Sequence, residues 1–105
     1  MSDNRPFSQI YLEAAEEWAD LEAAADLLEN MKSVSMAQHC KQLGDIPVNR
    51  AEQMVKASAE WQEYIEATNE ARKKANLAKV RLEAIRMQYS EWQNSQANQR
   101  AEMRL

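Results

Sequence analysis

The stretch NRAEQMVKASAEWQEYIEATNEARKKANLAKVRLEAIRMQYSEWQNSQANQRAEMRL, residues 49–105, decides the fold. It holds neither glycine nor proline and consists almost wholly of strong helix formers. Helices end where Gly frees the backbone or Pro removes an amide donor, and neither occurs here. The stretch reads as one long helix over about 50–100, ~80 Å in length if unbroken at ~1.5 Å per residue. Such a helix cannot bury an apolar stripe against itself. What precedes it must be its packing partner, and whatever that partner leaves bare must meet another chain.

Immediately upstream, Gly44-Asp45-Ile46-Pro47-Val48 gives the one strong stop-and-restart signal, a turn over 44–48. Gly44 suits the left-handed position that closes a helix, and Pro47 follows where a helix no longer needs its amide. Asn49 reads as the N-cap of the second helix, with Glu52 returning a bond to its amide. Before the turn, Ala14, Trp18, Leu21, Ala25 and Leu28 recur at spacings of four and three, a coiled-coil-like seam. This places a first helix over about 8–43. Past Met31 the weaker helix formers Ser33, Val34 and Ser35 predict a bend. A short connection sets the two helices antiparallel. The expectation is therefore all-α: a single helical domain over 1–105, a hairpin with a long second helix, and an oligomer.

The facing stripe of the second helix runs Met54, Ser58, Trp61, Ile65, Thr68, Arg72, Ala75, Lys79 and Leu82. Its middle is polar and rests on pairs such as Glu70 with Lys74, worth a few tenths of a kcal/mol. A kink near Asn76 is the alternative to one continuous helix. Counting outward from the turn sets Trp61 against Met31, Ile65 against Leu28, Arg72 against Leu21 and Lys79 against Ala14. Trp92 then faces residue 1, so Leu82, Ile85, Tyr89 and Trp92 read as an apolar edge for a second copy or another protein.

The net charge of −4 conceals an asymmetry. Acidic residues crowd the first helix, while the second half is mildly basic, with Arg72, Lys73, Lys74, Lys79, Arg81 and Arg86 close together. The hairpin lays Glu13, Glu16, Glu17 and Asp20 beside Arg72, Lys73, Lys74 and Lys79, which favours self-neutralisation over a free basic track for phosphates.

Chemistry finds little purchase. The single Cys40 excludes an internal disulfide, and with the single His39 it cannot build a structural metal site. One glycine cannot make a phosphate-cradling loop, and no serine sits on a nucleophile elbow. The sequence predicts no catalytic residue, no cofactor and no metal. No apolar run approaches the ~18 residues needed to span a bilayer, so the expectation is a cytoplasmic protein with no membrane contact.

The tail Leu82-x-x-Ile85-Arg86-x-x-x-Tyr89-x-x-Trp92-Gln93, followed by Ala97-Asn98-Gln99-Arg100-Ala101-Glu102-Met103, resembles the small helical proteins of early regions in tailed phages and prophages. The resemblance covers roughly a quarter of the chain. It implies an accessory role in phage DNA metabolism or host takeover and carries no catalytic residues. Three functions follow as expectations: a non-enzymatic adaptor that binds itself and another protein; an acidic mimic of nucleic acid that blocks a host nuclease or DNA-binding protein; and a weak nucleic-acid binder through 72–86.

Overall fold

The computed structural model describes residues 4–104 of the chain; Met1, Ser2, Asp3 and Leu105, and with them the expected pairing of Trp92 with residue 1, lie outside. Four helices follow in order: α1 (Phe7–Asn30), α2 (Lys32–Gln42), α3 (Val48–Lys56) and α4 (Ala59–Met103). α1 packs along α4 and α2 against α3, giving an antiparallel hairpin 84 × 21 × 18 Å in extent. The hairpin of the sequence reading is present, but each arm is interrupted once.

The first interruption falls at Met31, where weaker helix formers begin. The second, at Ala57 and Ser58, has no glycine or proline behind it. There Ser58 takes an extended conformation, and its Oγ accepts a hydrogen bond from the Trp61 amide at 3.2 Å. A serine that competes for backbone partners can start a helix as effectively as a glycine ends one. The true cap of the long helix is therefore Ser58. Asn49 lies inside α3, whose N-cap position is Pro47, with no side-chain cap. From Ala59 the helix passes through Asn76 without a break, so the kink considered there does not occur.

Gly44 holds a φ of +82°, in the left-handed region, and ends the first arm as the sequence predicts. An added Cβ there would touch nothing within 4 Å, so only the backbone conformation objects to a side chain. Gly44→Val is expected to cost ~1–2 kcal/mol, the penalty of an L-residue at left-handed φ. Thermal unfolding measures it, and an unchanged midpoint would show that the turn tolerates another conformation.

Between the arms the core is thin. Among the described residues its buried apolar side chains are Ala14, Ala25, Ala51, Val55, Trp61, Ala75, Ala78 and Leu82, so most of the core is alanine. Small residues let the helices approach closely but bury little area each. The middle of α4 is carried by Thr68, Ala75 and Ala78, where the sequence stripe had Lys79; that lysine is exposed. Buried Thr68 satisfies its hydroxyl by donating to Tyr64 O at 2.9 Å, and Tyr64 Oη donates across the hairpin to Leu28 O. Trp18 is only half-buried, and its buried indole N–H meets no acceptor among the described residues.

Pairing across the hairpin is shifted from the count made at the turn. Arg81 meets Glu17, Arg86 meets Tyr11, and Phe7 meets Tyr89 and Trp92. Helical side chains lean toward the N-terminus of their own helix. In an antiparallel pair they lean past one another, so tips that touch come from an α4 residue about one turn nearer the open end. Counting Cα positions from the turn misses that turn.

Candidate binding groove at the open end of the hairpin

At the open end, α1 begins and α4 runs on. Phe7, Ser8, Tyr11, Leu12 and Ala15 of α1 and Ile85, Arg86, Tyr89 and Trp92 of α4 line a groove of about 840 Å³. Helical spacing builds each wall: residues three and four apart share a face. The Phe7 ring lies 5.2 Å from Tyr89 and 5.7 Å from Trp92, and Tyr89 stacks on Trp92 at 6.1 Å. These are the separations at which aromatic rings attract. Arg86 closes one edge by donating to Tyr11 Oη at 2.6 Å, with its guanidinium 5.6 Å from the centre of the Tyr11 ring. Gln93 donates to Tyr89 Oη at 2.9 Å. The Tyr11 and Tyr89 hydroxyls are thus engaged, and the surface left toward solvent is chiefly ring and aliphatic carbon.

Three of the four expected edge residues line this groove. Ile85 is half-buried, while Tyr89 and Trp92 keep 38% and 48% of their surface exposed. They are not bare, because Phe7 reaches them from α1. Leu82 does not belong to the edge: it is buried in the α1–α4 core.

The charge pairs differ more. One cation, Arg72, collects three carboxylates: Glu22 at 2.8 Å, Asp26 at 2.7 Å and Glu29 at 2.7 Å. Its ε nitrogen adds a second bond to Glu29 at 2.9 Å, making that contact bidentate. Hydrogen bonds donated to Glu29, Asp26 and Glu22 hold the guanidinium pKa well above its ordinary value, and Arg72 pulls that of Glu29 below the ordinary carboxylate value. Of the acidic residues expected to pair, Glu17 reaches Arg81 at 3.4 Å and Glu13 pairs with Arg5 on its own arm. Glu16 and Asp20 enter no ion pair among the described residues, and neither do Lys73, Lys74 and Lys79. Those three lysines point to different sides of α4, since successive residues turn by ~100°.

The sequence reading missed a second exposed apolar row. Leu77, Val80 and Met87 stand on the side of α4 turned away from α1 and are exposed. Their spacing of three and seven is visible in the sequence, on the face opposite the α1-facing stripe.

Near the turn, His39 Nδ1 lies 2.7 Å from Ser35 O and its Nε2 3.5 Å from Glu60, with the ring edge-on to Trp61. Cys40 is half-buried beside Met36. Among the described residues no group of three or more His, Cys, Asp or Glu side chains is placed to hold a metal ion. No helix there is long and apolar enough to cross a membrane.

Comparison with known proteins adds no relative: no family model, curated protein or solved structure matches the chain.

Proposed function

We propose that this chain is a non-enzymatic helical adaptor whose binding site is the aromatic groove at its open end. One observation carries the reading. Tyr89 and Trp92 remain about half exposed beside Phe7, in a groove where the Tyr11 and Tyr89 hydroxyls are already bonded. Aromatic side chains held rigid at the centre of an apolar patch are the usual energetic anchors of protein interfaces. The width between two helices suits an apolar helix, laid in through residues spaced three and four apart. The exposed row Leu77, Val80 and Met87 on the far side of α4 offers a second face, and two faces are what an adaptor requires. The resemblance of the 82–103 tail to phage early proteins adds the proposal of a role beside phage DNA metabolism or host takeover.

The two charge-based readings are weaker. An acidic mimic needs free carboxylates in a row, and Glu17, Glu22, Asp26 and Glu29 are each bound to an arginine. A phosphate-tracking helix needs free cations in a row, and within 72–86 Arg72 and Arg81 are bound to carboxylates and Arg86 to Tyr11, while Lys73 and Lys74 lie on other sides of α4.

The experiment is affinity measurement of partners captured from cell extract, repeated with Trp92→Glu and Trp92→Phe. The Glu variant is expected to lose ~2 kcal/mol or more of binding, roughly thirtyfold, and the Phe variant to keep most of it. Partners retained equally by both variants would move the site elsewhere. Salt-sensitive retention on DNA, unaffected by Trp92, would favour the nucleic-acid reading instead.

A further inference from the structure

The exposed row on the far side of α4 is the middle of a longer seam. Lys73, Leu77, Val80, Ala84, Met87 and Glu91 recur at alternating spacings of four and three. At ~100° per residue, all six fall within ~40° of the line directly opposite Leu82, which is buried against α1. All six are exposed, and Leu77, Val80 and Met87 keep 54%, 60% and 63% of their surface in water. Among the described residues neither Lys73 nor Glu91 enters an ion pair.

Reversed end for end, this seam complements itself. A cation closes one end and an anion the other, with long apolar side chains inside them and small or branched ones at the centre. We infer that α4 pairs along this seam with α4 of a second copy, antiparallel, about a two-fold axis level with Leu82. In that register Leu77 lies level with Met87 of the second copy, Val80 with its Ala84, and Lys73 with its Glu91, each contact occurring twice.

A hollow in the surface fits the same register. Asn69, Arg72, Lys73, Asn76, Leu77 and Val80 line about 350 Å³ on this side of α4. A coiled-coil side chain enters between four residues of the facing helix. For Met87 of the second copy those four are Lys73, Asn76, Leu77 and Val80, and all of them line the hollow. A flexible thioether suits a hollow of irregular shape. A parallel pairing would instead set Lys73 on Lys73 and Glu91 on Glu91, and would leave Met87 ~15 Å along the helix from the hollow.

Beside the axis each flank brings one residue near its own copy, Arg81 on one side and Glu83 on the other. Both lie ~80° from the seam, where long side chains turn to water, and Arg81 is already paired with Glu17 of its own chain. The axis falls one residue from the midpoint of α4, so the two helices overlap almost end to end. Each α1 lies on the outside of the pair, and both aromatic grooves stay open. The inference therefore stands apart from the groove reading and assigns the second face of the adaptor to a second copy.

Cysteine crosslinking in the full chain tests the register, in a Cys40→Ser background under mild oxidation. Leu77→Cys and Met87→Cys chains are each expected to stay unlinked alone, since equal positions lie ~15 Å apart along the seam, beyond disulfide reach. Mixed together, they are expected to give a disulfide dimer containing one of each. Sedimentation of the wild type should show reversible dimers in the micromolar range. Lys73→Glu and Glu91→Lys should each weaken them several-fold, and the double variant should restore them. Leu77→Glu should abolish the dimer with helix content by circular dichroism unchanged, and Trp92→Glu should leave it intact. Either cysteine variant linking with itself in preference to the mixture would overturn the antiparallel register. A wild type that stays monomeric throughout the micromolar range would overturn the second copy. A dimer lost with Trp92→Glu but kept with Leu77→Glu would move the contact to the groove and overturn this face.

Discussion

Trp61→Ala is expected to be the most damaging single substitution in the chain, costing ~3–5 kcal/mol of stability. A domain of this size has ~5–15 kcal/mol in all. Trp61 is 4% exposed and is the one large aromatic fully within the hairpin. It stacks on Tyr64 at 5.4 Å, receives the edge of His39 at 6.3 Å, and opens α4 under the Ser58 cap. Its burial therefore joins three parts of the chain: α2 through His39, the cap that starts α4, and Tyr64, which bonds across to Leu28. Most other core positions are alanine and cannot compensate for a cavity of that volume. Urea unfolding followed by far-ultraviolet circular dichroism measures the loss, with Trp61→Phe expected to retain a good part. A cost below ~1 kcal/mol would mean that the core lies elsewhere, since surface positions rarely exceed half of that.

How much of this could be read from the residues depends on which physical signal each feature leaves. Gly44 and the long Gly- and Pro-free stretch gave the all-α hairpin directly, because glycine at left-handed φ and the absence of breakers both act locally. The interruption at Met31 was also legible, in the weak propensities of Ser33, Val34 and Ser35. Ser58 is not legible as a cap from periodicity, because it falls on the apolar period and reads as a stripe position. Its hydroxyl was the signal, with Glu60 following in the first turn, where an acidic residue suits the helix dipole. Lys79 was placed on the inner stripe for the opposite reason: a strict period overruled the identity of its neighbour, and Ala78 is what the close helices accept. At the open end, Ile85, Tyr89 and Trp92 were found from periodicity alone. Phe7 was not paired with them, because the lean of side chains in an antiparallel pair is a property of three dimensions that numbers along the chain do not carry.

The largest electrostatic effect is expected at Arg72. The sequence spreads the basic charge evenly over Arg72, Lys73, Lys74 and Lys79, but among the described residues only Arg72 of these four makes ion pairs with α1. Three carboxylates from α1 converge on its guanidinium, which is 26% exposed. Arg72→Glu would set four carboxylates together and leave Glu22, Asp26 and Glu29 without their cation. Reversing Lys73, Lys74 and Lys79 together to Glu changes more charge, but at positions without an ion pair. The single substitution is therefore expected to lower the thermal midpoint by more than the triple one. Acid provides an independent check. The Glu29 carboxyl is held below its ordinary value by the hydrogen bonds it accepts from Arg72, so its folded-state pKa lies beneath its unfolded one. Stability from this pair is complete above the unfolded value and is lost as pH falls through the folded one. Wild type should weaken progressively as the pH falls through the ordinary carboxylate range and below it, and Arg72→Met, which keeps most of the length of the side chain without its charge, should show a flatter profile over that window. Equal acid sensitivity in the two proteins, or a lysine triple as damaging as Arg72→Glu, would mean that the arginine does not hold the arms in register.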